Sequence, residues 1–98
     1  MEIIQNGMSG TMESSDINIL IQPNLQKGII INLKSAVEKQ FGNKIREVIR
    51  ETLKKLEISD AIVTANDKGA LDYAIIARVE CAACRAAGKE KNLKWEGL

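Results

Sequence analysis

The run Ser9-Gly10-Thr11-Met12-Glu13-Ser14-Ser15-Asp16 sets hydroxyl groups beside carboxylates just ahead of a strand-like segment. A serine there can accept a covalently attached group. Little else in the chain could do chemistry alone. There is no histidine, so the usual proton shuttle near neutral pH is missing. These residues suit a small domain that carries a group on one serine while other proteins do the work.

The other constellations read more simply as structure. Cys81-Ala82-Ala83-Cys84 is a CxxC, a spacing known from redox and zinc sites. It falls late in an amphipathic segment and not at a strand-to-helix junction, where a helix N-terminus lowers a thiol pKa. Zinc needs four ligands, and the chain offers no histidine and no further cysteine. Asp67 and Asp72 flank a turn; Asp67 is expected to build it and Asp72 to cap the next helix or occupy its first turn, where negative charge is favoured. Lys68-Gly69 is too short for a phosphate-binding loop. The mixed row Lys44, Arg46, Glu47, Arg50, Glu51, Lys54 and Lys55 fits a solvated helix face or a docking face. Trp95 in the polar tail fits an anchor or a partner contact.

Length and composition narrow the class. Ninety-eight residues make one domain with room for a single two-layer core. Only 3% of residues are aromatic, so the core must be aliphatic. Fourteen basic residues against thirteen acidic leave a net charge of +1. Nucleic-acid binding, which draws most of its affinity from phosphate contacts, is not expected. No apolar run is long enough to cross a bilayer, and the N-terminus lacks an export signal. With two cysteines, a reducing cytoplasm is the expected location.

The pattern along the chain must then position the serines. Residues 1–10 suit a mobile arm or an edge strand. Residues 16–22 alternate, with Ile17, Ile19 and Ile21 on one face, and predict a half-buried strand. Pro23 to Gly28 reads as a hairpin connection to a second strand with Ile29, Ile31 and Leu33 on one face, its phase extending towards Val37. Gly42-Asn43 reads as a helix start, followed by Ile45, Val48, Ile49, Leu53 and Leu56 at helical spacing. Ala61 to Ala65 predicts a third strand and Asn66 to Gly69 a turn. A last helix over 72–87 has Ile75, Ile76, Val79, Ala83 and Ala86 as its apolar face, and Gly88 ends it. Residues 89–98 form a C-terminal tail. The order β-β-α-β-α predicts an α+β two-layer sandwich: a small, mostly antiparallel sheet with two helices on one face. If the strands around the first helix are parallel, their crossover should be right-handed.

Phase also separates the two serines. If the first strand extends back to residue 12, Ser15 shares the inward face of Ile17 and Ser14 the outward face of Asp16 and Asn18. A serine bearing an anionic group must face water, because an unpaired phosphate is too costly to bury. Parity therefore favours Ser14.

Over nearly its whole length the chain resembles the acyl carrier (gamma) subunit of citrate lyase. The resemblance rests on Gly10-Thr11-Met12-Glu13-Ser14-Ser15-Asp16, on Ser35-Ala36-Val37-Glu38-Lys39-Gln40-Phe41-Gly42, on Asp67-Lys68-Gly69-Ala70-Leu71-Asp72 with Ala77-Arg78, and on Trp95-Glu96. The CxxC lies outside this pattern. The resemblance implies a single acyl-carrier domain over 1–98; residues 1–15 are expected to be a mobile arm bearing the attachment site. It implies that Ser14 carries 2'-(5''-phosphoribosyl)-3'-dephospho-CoA through a phosphodiester. It implies a non-catalytic subunit of a lyase complex, acting in citrate fermentation with the citrate lyase alpha and beta subunits. A prosthetic-group transferase and an acetate-activating ligase would serve it. In the implied cycle citrate displaces acetate from the acetyl thioester, and the citryl thioester so formed is cleaved to oxaloacetate with return of the acetyl thioester, for a net cleavage of citrate to acetate and oxaloacetate. The carrier of malonate decarboxylase is the near alternative. An unmodified protein-interaction domain is the alternative of another class, and an enzyme acting through Cys81 and Cys84 the weakest.

Overall fold

A computed structural model describes residues 1–89 of the chain. The expected tail, with Trp95, falls outside these residues apart from Lys89. Six elements follow in order: β1 (Gly7–Ser9), β2 (Ile17–Gln22), β3 (Ile29–Ser35), α1 (Glu38–Lys55), β4 (Ala61–Asp67) and α2 (Asp72–Ala86). The sheet order is β1-β2-β4-β3. β1 pairs with β2 and β2 with β4 antiparallel, whereas β3 and β4 run parallel. The α+β class and the mostly antiparallel sheet are as expected. The opening segment supplies an additional edge strand, β1.

Alternation fixes which face is inside. Ile17, Ile19 and Ile21 of β2 are fully buried, as are Ala61 and Val63 of β4. In register, Ile19 sits opposite Ala65 and Ile21 opposite Val63, so the middle of one face is aliphatic. The helices complete this core through Ile45, Ile49 and Leu53 of α1 and Ile75 and Val79 of α2. Phe41 and Tyr73 stay exposed, so no described aromatic enters it. α2 lies close on the sheet because Ala82, Ala83 and Ala86 are small and β1 presents Gly7. A Cβ at Gly7 would run into the Ala82 carbonyl and the Ala86 backbone. Ile76, expected inside, is exposed on the flank of α2.

Two local expectations fail for identifiable reasons. The segment after Pro23 is not a hairpin connection, because β4 lies between β2 and β3. Asn24 instead builds a wider turn, its amide donating to the Lys27 and Gly28 carbonyls and its oxygen accepting from the Gln26 N–H. Gly42-Asn43 is not the start of α1, which begins four residues earlier, at Glu38. Gly42 is buried within the helix, beneath an ion pair in which Arg46 Nη1 meets Glu38 Oε2 at 2.9 Å. A Cβ at Gly42 would strike that carboxylate. This glycine makes room for a bridge across two turns and does not mark a boundary. Gly88 does end α2: its own N–H donates to the Arg85 carbonyl and that of Lys89 to the Cys84 carbonyl, the paired closure of a Schellman motif.

β3 and β4 finish at the same end of the sheet, and α1 and α2 both begin there. Asp67 fastens this end. Its side chain is buried and accepts from Ser35 Oγ at 2.8 Å and from the Ala70 N–H at 2.9 Å. Ile19→Ala, which empties the centre of the aliphatic face, is expected to lower the unfolding free energy by about 3 kcal/mol. Urea denaturation followed by circular dichroism measures it.

Candidate functional site

Residues 10–16 form a loop from β1 into β2 at the end where Asp67 joins β3 and β4. The loop is organised by Asp16. Its Oδ2 accepts from the Thr11 N–H at 3.1 Å and from the Thr11 hydroxyl at 2.6 Å. Its Oδ1 accepts from the Ile17 N–H at 2.7 Å. Arg78, on α2, grips both oxygens, with Nε to Oδ1 at 3.1 Å and Nη2 to Oδ2 at 2.9 Å. Such fork-to-fork pairs fix orientation as well as position. Thr11 Oγ1 in turn accepts from the Glu13 N–H. Gly10 turns the chain with φ of 97°, and a Cβ there would collide with the Ile17 carbonyl. Both the left-handed backbone and the close approach call for glycine.

Ser14 and Ser15 are the central residues of a turn closed by the Asp16 N–H on the Glu13 carbonyl at 3.2 Å. Ser15 has a left-handed φ of 67°. Its N–H donates to the Lys68 carbonyl at 2.8 Å, and the Lys68 N–H donates to the Asp16 carbonyl at 2.9 Å. The turn is thus clamped to the loop after β4. Both serines are exposed. The Ser14 hydroxyl has no hydrogen-bond partner among the described residues.

β2 begins at Ile17, so strand parity does not reach back to residues 14 and 15, and Ser15 does not point inward. Ser14 keeps its outward position by lying on a turn. The sequence placed Asp16 beside the serines and Arg78 in one of the blocks that carry the resemblance, with no sign that the two meet across 62 positions. Thr11 five residues before Asp16 was the local signal, since short polar side chains close such turns.

The remaining candidates lie apart. Cys84 is buried in α2 and Cys81 half-buried. Burial pushes the Cys84 thiol up, with nearby Cys81 and Glu80 adding to the rise, the opposite of what a reactive thiolate needs. Among the described residues no cluster of ligating side chains could hold a metal. Asp67 is a buried brace and not half of an acid pair with the exposed Asp72.

The Asp16 carboxyl is held far below the usual carboxylate range, first by its hydrogen bonds to Arg78 and Thr11 and further by the Ile17 N–H and the Arg78 charge; desolvation opposes them. The Arg78 guanidinium is raised correspondingly. Because the folded pKa is depressed, the unfolded chain binds the proton more readily on acidification. The pair's contribution is therefore full above the ordinary aspartate value of about 3.9 and lost as pH falls below it. The pair is partly exposed, with side-chain exposures of 39% for Arg78 and 16% for Asp16, so screening keeps the effect modest. Urea titrations between pH 7 and pH 2 should show a steeper acid loss in the wild type than in Asp16→Asn, and parallel curves would refute the clasp.

Residues 4–86 match the family model described as "ACP: Malonate decarboxylase delta subunit (MdcD)". The chain is 46% identical over 98 residues to citrate lyase acyl carrier protein 2 of Salmonella typhimurium, covering 100% of both. It is 52% identical to the citrate lyase acyl carrier protein of Streptococcus equi subsp. equi, covering 100% of this chain and 95% of that relative. Vibrio cholerae serotype O1 has a citrate lyase acyl carrier protein 46% identical over 98 residues, with 100% and 99% covered. The fold also matches a chain in the crystal structure of a Pseudomonas malonate decarboxylase hetero-tetramer in complex with malonate. That match has a TM-score of 0.66 and 15% identity, and covers 88% of this chain and 92% of the other.

Proposed function

Because the chain belongs to the citrate lyase acyl carrier protein family, we propose that it bears its acyl group on a 2'-(5''-phosphoribosyl)-3'-dephospho-CoA arm joined to Ser14 through a phosphodiester. The observation that carries this reading is the exposed Ser14 hydroxyl, without a hydrogen-bond partner among the described residues, on a turn held by Asp16, Thr11 and Lys68. An anionic linkage there stays in water, avoiding the desolvation that a buried phosphate would suffer. When bound, the group supplies a thiol on which an acyl unit rides as a thioester. The chain is a carrier and not a catalyst.

The chain's own residues do three things in this reading. Ser14 offers the oxygen that is modified. Asp16, with Arg78 and Thr11, keeps the turn in one conformation, so a modifying enzyme meets a prepared substrate and less ordering entropy opposes binding. The folded body holds the tether near its partners, which raises the effective concentration of a linked substrate at each site. The proposed partners are the citrate lyase alpha and beta subunits, a prosthetic-group transferase and an acetate-activating ligase. Residues 1–98 act as one carrier domain. Among the described residues no helix is long and apolar enough to cross a membrane; the free cysteines support a cytoplasmic setting. Against a malonate decarboxylase carrier stands the full-length identity to citrate lyase carriers, far above the 15% shared with the decarboxylase chain.

Intact mass after incubation with the transferase and its activated arm tests the assignment. Wild type and Ser15→Ala should gain one arm, and Ser14→Ala none; an adduct persisting on Ser14→Ala would overturn it. Arg78→Gln should be modified more slowly than wild type, because the turn loses its anchor on α2.

A further inference from the structure

A second feature occupies the same end of the molecule as Ser14. Between the first turns of α1 and α2, beyond the ends of β3 and β4, lies a groove of about 250 Å³. Val37, Phe41 and Ile45 line it from the α1 side and Ala70, Leu71 and Ile75 from the α2 side. Phe41 is 52% exposed and Leu71 62% exposed, so apolar side chains stand open to water around one crevice.

The groove adjoins the turn directly. The Ser15 N–H is 2.8 Å from the Lys68 carbonyl oxygen, and Gly69 is part of the groove wall. With standard backbone dimensions, the Ser14 Cα lies within about 8 Å of the Gly69 Cα. A group hung on Ser14 therefore starts beside the groove. The charges on the rim are Lys44 and Asp72. With one cation and one anion there, the groove gains nothing from a net charge in its occupant. It suits the uncharged, part-apolar thioester end of a chain, which is far less costly to desolvate than a charged group.

We propose that this groove is the berth in which the acyl-bearing end of the Ser14-linked arm folds back between partner encounters. The proposal rests on the attachment reading above. Phe41 and Leu71 close over the thioester end and keep water and nucleophiles from it. The volume admits only the terminal part of the arm, being slightly below the range of about 300 to 1,000 Å³ usual for drug-sized ligands. The anionic linkage at Ser14 remains outside in solvent.

The experiment uses the full chain, modified and then acetylated on the arm. Intact mass first establishes the adduct; with the transferase present, failure to form any adduct would overturn both the attachment and the berth. With the adduct in place, backbone amide shifts of labelled protein, modified against unmodified, should move at Phe41, Lys44, Ala70, Leu71 and Ile75. Shifts confined to residues 10–18 would overturn the berth and leave the attachment standing. Release of the acetyl group by hydroxylamine provides a second readout. A berth occupied about four-fifths of the time should slow release about fivefold relative to the double variant Phe41→Gln, Leu71→Gln. Both of those side chains are more than half exposed, so the variant should fold and accept the arm normally. Equal release rates in wild type and variant would overturn the proposal.

Discussion

One carboxylate governs the end of the molecule that matters. Asp16 receives five donors: two from Thr11, one from Ile17 and two from Arg78. Each residue held in one backbone conformation costs about 1–2 kcal/mol of chain entropy, so a turn carrying two serines in water would wander without such a centre. The carboxylate sits at the junction between an irregular segment and the strand with the most deeply buried face. It passes the rigidity of that strand, and of α2 through Arg78, into the turn.

A second brace of the same kind stands beneath the first. Asp67, buried at the end of β4, holds Ser35 at the end of β3 and the Ala70 N–H before α2. The two aspartates lie one residue apart in the antiparallel register, since Ile17 faces Asp67 across the strands. The turn, the ends of the parallel strands and the starts of both helices are therefore linked by a short polar network over an aliphatic core. Carrier function needs little more from the body: an exposed oxygen, a fixed stalk under it, and a surface that partners can meet.

Much of this could be read from residue order. The isoleucines at 17, 19 and 21 announce a strand because burial on one face has a period of two, and the spacing of Ile45, Val48, Ile49 and Leu53 announces a helix for the equivalent reason. Sheet order could not be read, because β2 and β3 each pair with β4 through contacts distant in sequence. Gly42 misled because glycine often marks a boundary, and its use as clearance under the Glu38–Arg46 bridge depends on side chains four residues to either side. The serine turn was legible as chemistry and not as geometry. Its position against the loop after β4 follows from Arg78 and Lys68, whose nearness only folding creates.

The central place of β4 has a consequence for how the molecule comes into being. Synthesis delivers the chain from its amino end, so β3 emerges long before the strand that is its sole neighbour in the sheet. Until residue 67 has left the ribosome, a seven-residue segment rich in isoleucine waits with its backbone edge open on both sides. Closure then comes by insertion of a late strand between two earlier ones. The interval before it is when this small, otherwise undemanding domain is most exposed to unwanted strand pairing with its neighbours.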